Sequence, residues 1–321
     1  MSATSAPLVP STWGNRWSGR YLLAYLALYA TLLGLLHHSE HFGIAEPLLI
    51  LATLGIGFSV LAYFLTRRLT PLPISIRHPG SEVLVLLAYT AGIAAYLAWG
   101  RVFVEPILPP EPMKSVVILV IKLLLFVFLP VLLFRLLWGY RLSDLVVIRP
   151  EARRHWKAAL WMSLALLLFQ CVLGKGLGAV RQSDLSRSTL IIGTPLVFLF
   201  LVIEVGLVEE FFFRALLQSR LSAWLKSEMG GIVAMSLLFG LAHAPGFYYH
   251  GSATQEGVGA HPTWLLAIGY SVVVTSVAGF FLGTLWIRTR NLALLMIVHA
   301  AGDLMPNLVP MLKLVDHVWR R

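Results

Sequence analysis

Apolar runs begin near Tyr21, Gly43, Ser81, Ser115, Trp156, Thr189, Gly230, Trp264 and Asn291, and they take up most of the chain. Each approaches the roughly 17 to 25 residues that a helix needs to cross the hydrocarbon core of a bilayer. In hydrocarbon every backbone N–H and C=O must be bonded within the segment, which a helix achieves alone. The expected architecture is therefore all-α, a polytopic membrane bundle with eight or nine transmembrane helices. The run at Ser115 contains Lys122 and Pro130 and reads as kinked or tilted, and the run at Trp156 is short. Trp13, Trp17, Trp99, Trp138, Trp156, Trp224, Trp264, Trp286 and Trp319 mark run ends, as an interfacial belt requires.

Composition agrees: 58% of the 321 residues are hydrophobic, 12% are charged, and the mean hydropathy is +0.80, well above a soluble domain. The lone cysteine, Cys171, excludes a disulfide framework, a CxxC redox pair and a cysteine-based zinc site. A net charge of +10 is compatible with nucleic acid, but the basic residues lie in short loops between apolar runs and form no aromatic-interleaved face. They read instead as topology. With Arg16 and Arg20 cytoplasmic, alternate loops carry Arg67, Arg68 and Arg77, then Arg141, Arg149, Arg153, Arg154 and Lys157, then Arg220 and Lys226, then Arg288 and Arg290. Lys175, Arg181, Arg187, Arg320 and Arg321 fall on the other side. The expected location is the cytoplasmic (inner) membrane with the N-terminus inside; no signal peptide stands out, and the proline-rich "EPILPPEP" reads as a stiff outer turn.

Ionisable residues in membrane spans are costly and mark functional positions. Here they concentrate late in the chain: Glu204, Glu209, Glu210 and Arg214 in the sixth run, His243 in the seventh, His299 and Asp303 in the ninth. At a rise of about 1.5 Å per residue, Glu209 lies about 16 Å from Arg220, His243 about 20 Å from Gly230, and His299 about 14 Å from Arg290. Three helices thus bring Glu, His and His to a similar depth. Glu210 and Arg214, four apart, have the spacing and order of an intrahelical ion pair, while Glu209 points roughly 100° away. His299 and Asp303 are also four apart. Isolated intramembrane polar residues are often packing glue worth about 1 kcal/mol, and Glu204 and Lys122 read that way, as a structural ion pair or a snorkelled position. His37, His38 and His41 sit at a membrane edge, where interfacial solvation is the default and metal binding the lesser alternative, and His250, Glu256 and His261 lie in a loop whose glycine-rich composition suggests mobility, with a ligand role the lesser alternative.

"EEFFFR" at Glu209–Arg214, "FGLAH" at Phe239–His243 and "HAAGD" at His299–Asp303 resemble, in order, the EExxxR, FxxxH and HxxxN motifs of the CPBP (Abi) intramembrane proteases, which include the type II CAAX prenyl proteases. The resemblance covers roughly residues 189–312. It implies a division into N-terminal helices of unassigned role (1–188), a protease core (189–312) and a basic tail (313–321). It also implies that Glu209 and His243 activate water, that Glu210 and Arg214 support the site, and that His299 and Asp303 line the oxyanion side. Asp303 departs from the commoner asparagine: either it is protonated, or it orients His299, or it is a metal ligand. The expected activity is peptide-bond hydrolysis in an intramembrane cavity, without an acyl-enzyme and without a cofactor; zinc held by His243, His299 and Glu209 is the alternative. Membrane-associated peptides or protein C-terminal tails are the expected substrates, the lipid bilayer the expected surroundings, and nucleic acid is not expected. The rival functions are a non-catalytic immunity or scaffold protein and a haem- or cation-handling membrane protein.

Overall fold

The computed structural model of the chain describes residues 16–39, 42–146, 155–251 and 256–319; Trp13, His41, Arg149, Arg153, Arg154, Arg320 and Arg321 lie outside them. Among the described residues, nine apolar helices are α1 (Ser18–Leu36), α2 (Ala45–Thr66), α3 (Pro79–Ala95), α4 (Met113–Trp138), α5 (Trp156–Leu173), α6 (Arg187–Trp224), α7 (Glu228–His250), α8 (Trp264–Thr289) and α9 (Leu292–Asp316). All but the shorter α3 are long and apolar enough to span a bilayer, and no strand occurs among the described residues. The protein is a multi-pass integral membrane protein, an all-α bundle.

Packing divides the chain into two compact units whose segments interleave in sequence. The first holds α1, most of α2, α3, the end of α6 from Leu216, α7, and α8 up to Arg288. Its core forms because α1 presents Tyr25, Tyr29, Leu33 and Leu36 on one stripe, against Val233 of α7 and Leu266, Tyr270, Val273 and Val277 of α8. The Tyr25 hydroxyl is 2.9 Å from the Ser276 hydroxyl, so the phenol finds a polar partner in the apolar layer. A Cβ on Gly240 would lie 2.6 Å from the Ser271 carbonyl oxygen, and one on Gly279 3.0 Å from the Ser236 Cα. Lacking both, α7 and α8 pack backbone to backbone, as small residues allow in membranes.

The turn from α6 to α7 has no glycine, yet Lys226 adopts φ +49°. Its N–H donates to the Ala223 carbonyl at 3.3 Å and that of Ser227 to the Ser222 carbonyl at 3.1 Å, the paired bonds of a Schellman stop. Ser227 then caps α7, its hydroxyl accepting from the Gly230 N–H at 3.0 Å. One residue both ends α6 and starts α7.

The loop reading of Arg220 is corrected here. Its side chain is fully buried, and its Nε donates to Glu82 of α3 at 2.9 Å. The charge sits inside because α3 supplies a matching carboxylate, whose other oxygen accepts from the His78 N–H at 2.8 Å. Arg220 is therefore a helix residue paired inside the first unit, not a loop cation.

The second unit holds α4, α5, α6 up to Ala215, and α9. Here α6 and α9 run antiparallel: the Thr189 hydroxyl donates to Asp316 at 3.0 Å, and Gly193 faces Leu312. Val197, Leu201 and Val205 of α6 close the seam against Ala300, Leu304, Leu308 and Leu312 of α9.

Removing one partner of a buried ion pair leaves an uncompensated charge, at a cost of about 3–5 kcal/mol. Arg220→Met should destabilise the protein by that order, and Glu82→Leu added to it should recover most of the loss, read by thermal unfolding in detergent micelles.

Candidate functional site

Gly206 sets the distance between α6 and α9. A Cβ there would lie 2.7 Å from the Met296 carbonyl oxygen and 2.9 Å from its Cα, so the two backbones touch at this level. Around it α6 is wound wider than an α-helix, with π-helical turns over Val202–Leu207 and Glu210–Gln218. Wider winding turns fewer degrees per residue than the 100° of the α-helical expectation, and such turns recur at functional sites.

Helical side chains lean toward the N-terminus of their own helix. In an antiparallel pair, Glu210 and His299 therefore lean toward each other past the Gly206 contact. His299 Nδ1 lies 2.7 Å from Glu210 Oε1, and Glu210 Oε2 lies 3.4 Å from Arg214 Nε. Glu210 and Arg214 are fully buried and His299 is nearly so. Because a carboxylate only accepts, the Nδ1 proton of His299 donates to Glu210 and the ring orientation is fixed. On the ring's other side Nε2 lies 3.8 Å from Asp303 Oδ2, beyond hydrogen-bond length. The hydrogen bond that orients His299 thus comes from Glu210, a link across 89 positions that no motif spacing announces. The i,i+4 pairing of Glu210 with Arg214 is as expected from the sequence.

A residue the motifs do not contain supports the same stretch of α9. Gln170 of α5 donates from Nε2 to the Ala301 carbonyl at 2.9 Å and accepts the Met305 N–H on Oε1 at 3.2 Å. Those are the two groups an α-helix would pair with each other, and Asp303 lies midway between them. An amide inserted into the ladder bends a helix locally, and Pro306, next in sequence, brings no N–H of its own. The signal was a single buried glutamine in an otherwise apolar run.

His243 belongs to the first unit. Its Nδ1 lies 2.8 Å from the Phe239 carbonyl oxygen one turn back, and the two rings are 4.9 Å apart. The FxxxH spacing is thus a local device: Phe239 fixes the imidazole by its ring and its carbonyl, which leaves Nε2 as the acceptor nitrogen. Glu209 is half-buried beside Glu210. Glu204 and Lys122, read as structural pairing, are paired with each other, Lys122 Nζ to Glu204 Oε1. As for zinc, no group of three or more His, Cys, Asp or Glu side chains converges on a metal-sized position among the described residues.

Glu210→Ala should lower stability by about 3–5 kcal/mol, since it strands Arg214 in the interior and releases His299. Glu210→Gln, which keeps the shape and an acceptor for His299, should lose clearly less. Thermal unfolding in detergent micelles compares the two.

No curated protein and no solved structure matches the chain. Residues 191–305 match the family model described as Type II CAAX prenyl endopeptidase Rce1-like, an interval that takes in "EEFFFR", "FGLAH" and "HAAGD" and leaves α1 to α5 outside. Over residues 191–305, the stretch that carries the three motifs and the Glu210–His299 bond joining the first to the third, the chain is similar to that family.

Proposed function

We propose that the protein is an intramembrane endopeptidase that hydrolyses peptide bonds in membrane-associated peptides or protein C-terminal tails. The observation that carries this reading is the buried chain Arg214–Glu210–His299, which extends to Asp303. Charged groups held this deep in apolar helices are expensive, and a bundle that only needed to pack would do better with apolar residues there.

In this reading Glu209 is the general base. The water oxygen bonds to the scissile carbonyl carbon while its proton passes to Glu209, with His243 Nε2 as the second acceptor that positions the water. The proton then moves to the leaving nitrogen as the C–N bond breaks. His299, when its ring carries both protons, and Asp303 stand on the side where negative charge develops on the carbonyl oxygen. Glu210 holds His299 in place and Arg214 balances Glu210. Water activated in this way needs no metal. Serine and cysteine are absent from the three motifs, so no acyl-enzyme enters. The loop cations that remain after the Arg220 correction support a cytoplasmic N-terminus in the inner membrane.

Glu209→Gln and His243→Ala should each reduce the formation of defined cleavage products by about 10²–10⁴-fold at unchanged protein level. Mass spectrometry of membrane-protein tails and small peptides, comparing each variant with wild type in the native membrane, reads this directly. Products or biological function that persist in both variants would make the protein a binding module and the catalytic assignment wrong.

A further inference from the structure

Gln170 lies outside the family match, on a helix the motifs do not touch. The face that α5 buries runs through Ala159, Met162, Ser163, Leu166 and Gln170, at the three- and four-residue spacing of a packed stripe. The last of these positions would suit an apolar side chain, yet it holds an amide that is 8% exposed. A buried amide is costly unless its donor and its acceptor both find partners.

The partners it finds are of an unusual kind. Nε2 donates to the Ala301 carbonyl at 2.9 Å, and Oε1 accepts the Met305 N–H at 3.2 Å. An α-helix pairs those two groups with each other, so α9 can satisfy both without Gln170. Removing the amide strands neither, unlike the loss of one half of an ordinary buried hydrogen bond. What the two bonds add to α9 is position. Pro306 brings no N–H for the Gly302 carbonyl and its ring crowds that carbonyl, so α9 bends easily at this level and the direction of the bend has to be set.

The α5 side grips the same turn at two further points. Leu166 Cδ1 lies 4.0 Å from where a Gly302 Cβ would stand, and Gly176, just beyond α5, comes so close that a Cβ there would lie 2.7 Å from the Met305 carbonyl oxygen. One turn earlier on α9, His299 is held by Glu210 of α6. The two ends of "HAAGD" are thus placed from different helices, His299 from α6 and the turn of Asp303 from α5.

We propose that Gln170 is a positioning residue of the candidate site: its two bonds to the α9 backbone set where the turn carrying Asp303 stands relative to His299, and they add little to stability. A helix that precedes the family segment then takes part in shaping the site.

The kinetic arm of the test rests on the protease reading, and the spectroscopic arm does not. Full-length protein in detergent micelles is compared as wild type, Gln170→Leu and Gln170→Glu. The thermal midpoint is read first, then the nitrogen NMR shifts of the His299 ring in isotope-labelled protein, assigned by their absence in His299→Gln. Last come kcat and KM on a synthetic peptide spanning a cleavage site found among the Glu209-dependent products. Gln170→Leu should leave the midpoint at or above that of wild type, move the Nε2 resonance while Nδ1 stays, and lower kcat by about 10- to 10²-fold with KM unchanged. Gln170→Glu donates to Ala301 only while protonated, so its rate relative to wild type at the same pH should fall as the pH rises. A lowered midpoint with both His299 resonances in place makes the amide a packing contact and overturns the proposal. An unchanged kcat in Gln170→Leu overturns it equally. Should wild type yield no Glu209-dependent products, the protease reading fails, and the His299 resonances still decide this inference: Nε2 must move in Gln170→Leu, or the proposal falls. Gln170→Met replaces Gln170→Leu throughout if the latter does not accumulate.

Discussion

The Glu210 carboxylate, divided between Arg214 on its own helix and His299 on α9, is the contact on which the second unit's polar interior depends. A buried carboxylate with one partner is a poor bargain, since desolvation of the charge rivals the attraction it gains. With a cation on one oxygen and an imidazole N–H on the other, the same group becomes a bracket. It locks the register of α6 against α9, sets the direction of the His299 ring, and keeps Arg214 tolerable in a place with no water.

That bracket exists only because the backbones come close enough. Gly206 lets α6 touch α9 at Met296, within one π-helical stretch of α6 and just before the next, which begins at Glu210. Gln170 then engages α9 on both sides of Asp303. Van der Waals contact between small residues does the work of association here, because lipid offers no hydrophobic drive between helices. The polar bonds add direction to a seam that apolar side chains such as Val197, Leu304 and Leu312 already close.

What could be read from the sequence divides along the range of the interaction. The helices were legible because bilayer thickness converts directly into run length, and only the Ser81 run fell short, as the 17-residue α3. Contacts within one turn were legible for the same geometric reason: Glu210 with Arg214, and His243 with Phe239, follow from a spacing of four. Contacts between helices were not. Nothing in the spacing told Glu210 to reach His299, Gln170 to enter α9, or Glu82 to draw Arg220 out of its supposed loop, because each depends on which helices neighbour one another. The π-helical winding of α6 escaped as well, since no residue type announces an i→i+5 turn.

The same division explains why single motifs read weakly and the set reads well. Two residues that meet at i,i+4 spacing arise often on any helix, and each such pair can be satisfied locally with no consequence beyond a few tenths of a kcal/mol. A bond such as Glu210–His299 is different, because it requires two motifs 89 positions apart to be present and buried together. Loss of either would leave a charge or a ring nitrogen stranded in hydrocarbon, so neither half is stable as an accident of composition. The polar content of these helices is thereby tied to a common arrangement, and chemistry at that arrangement is the simplest reason for the protein to bear its cost.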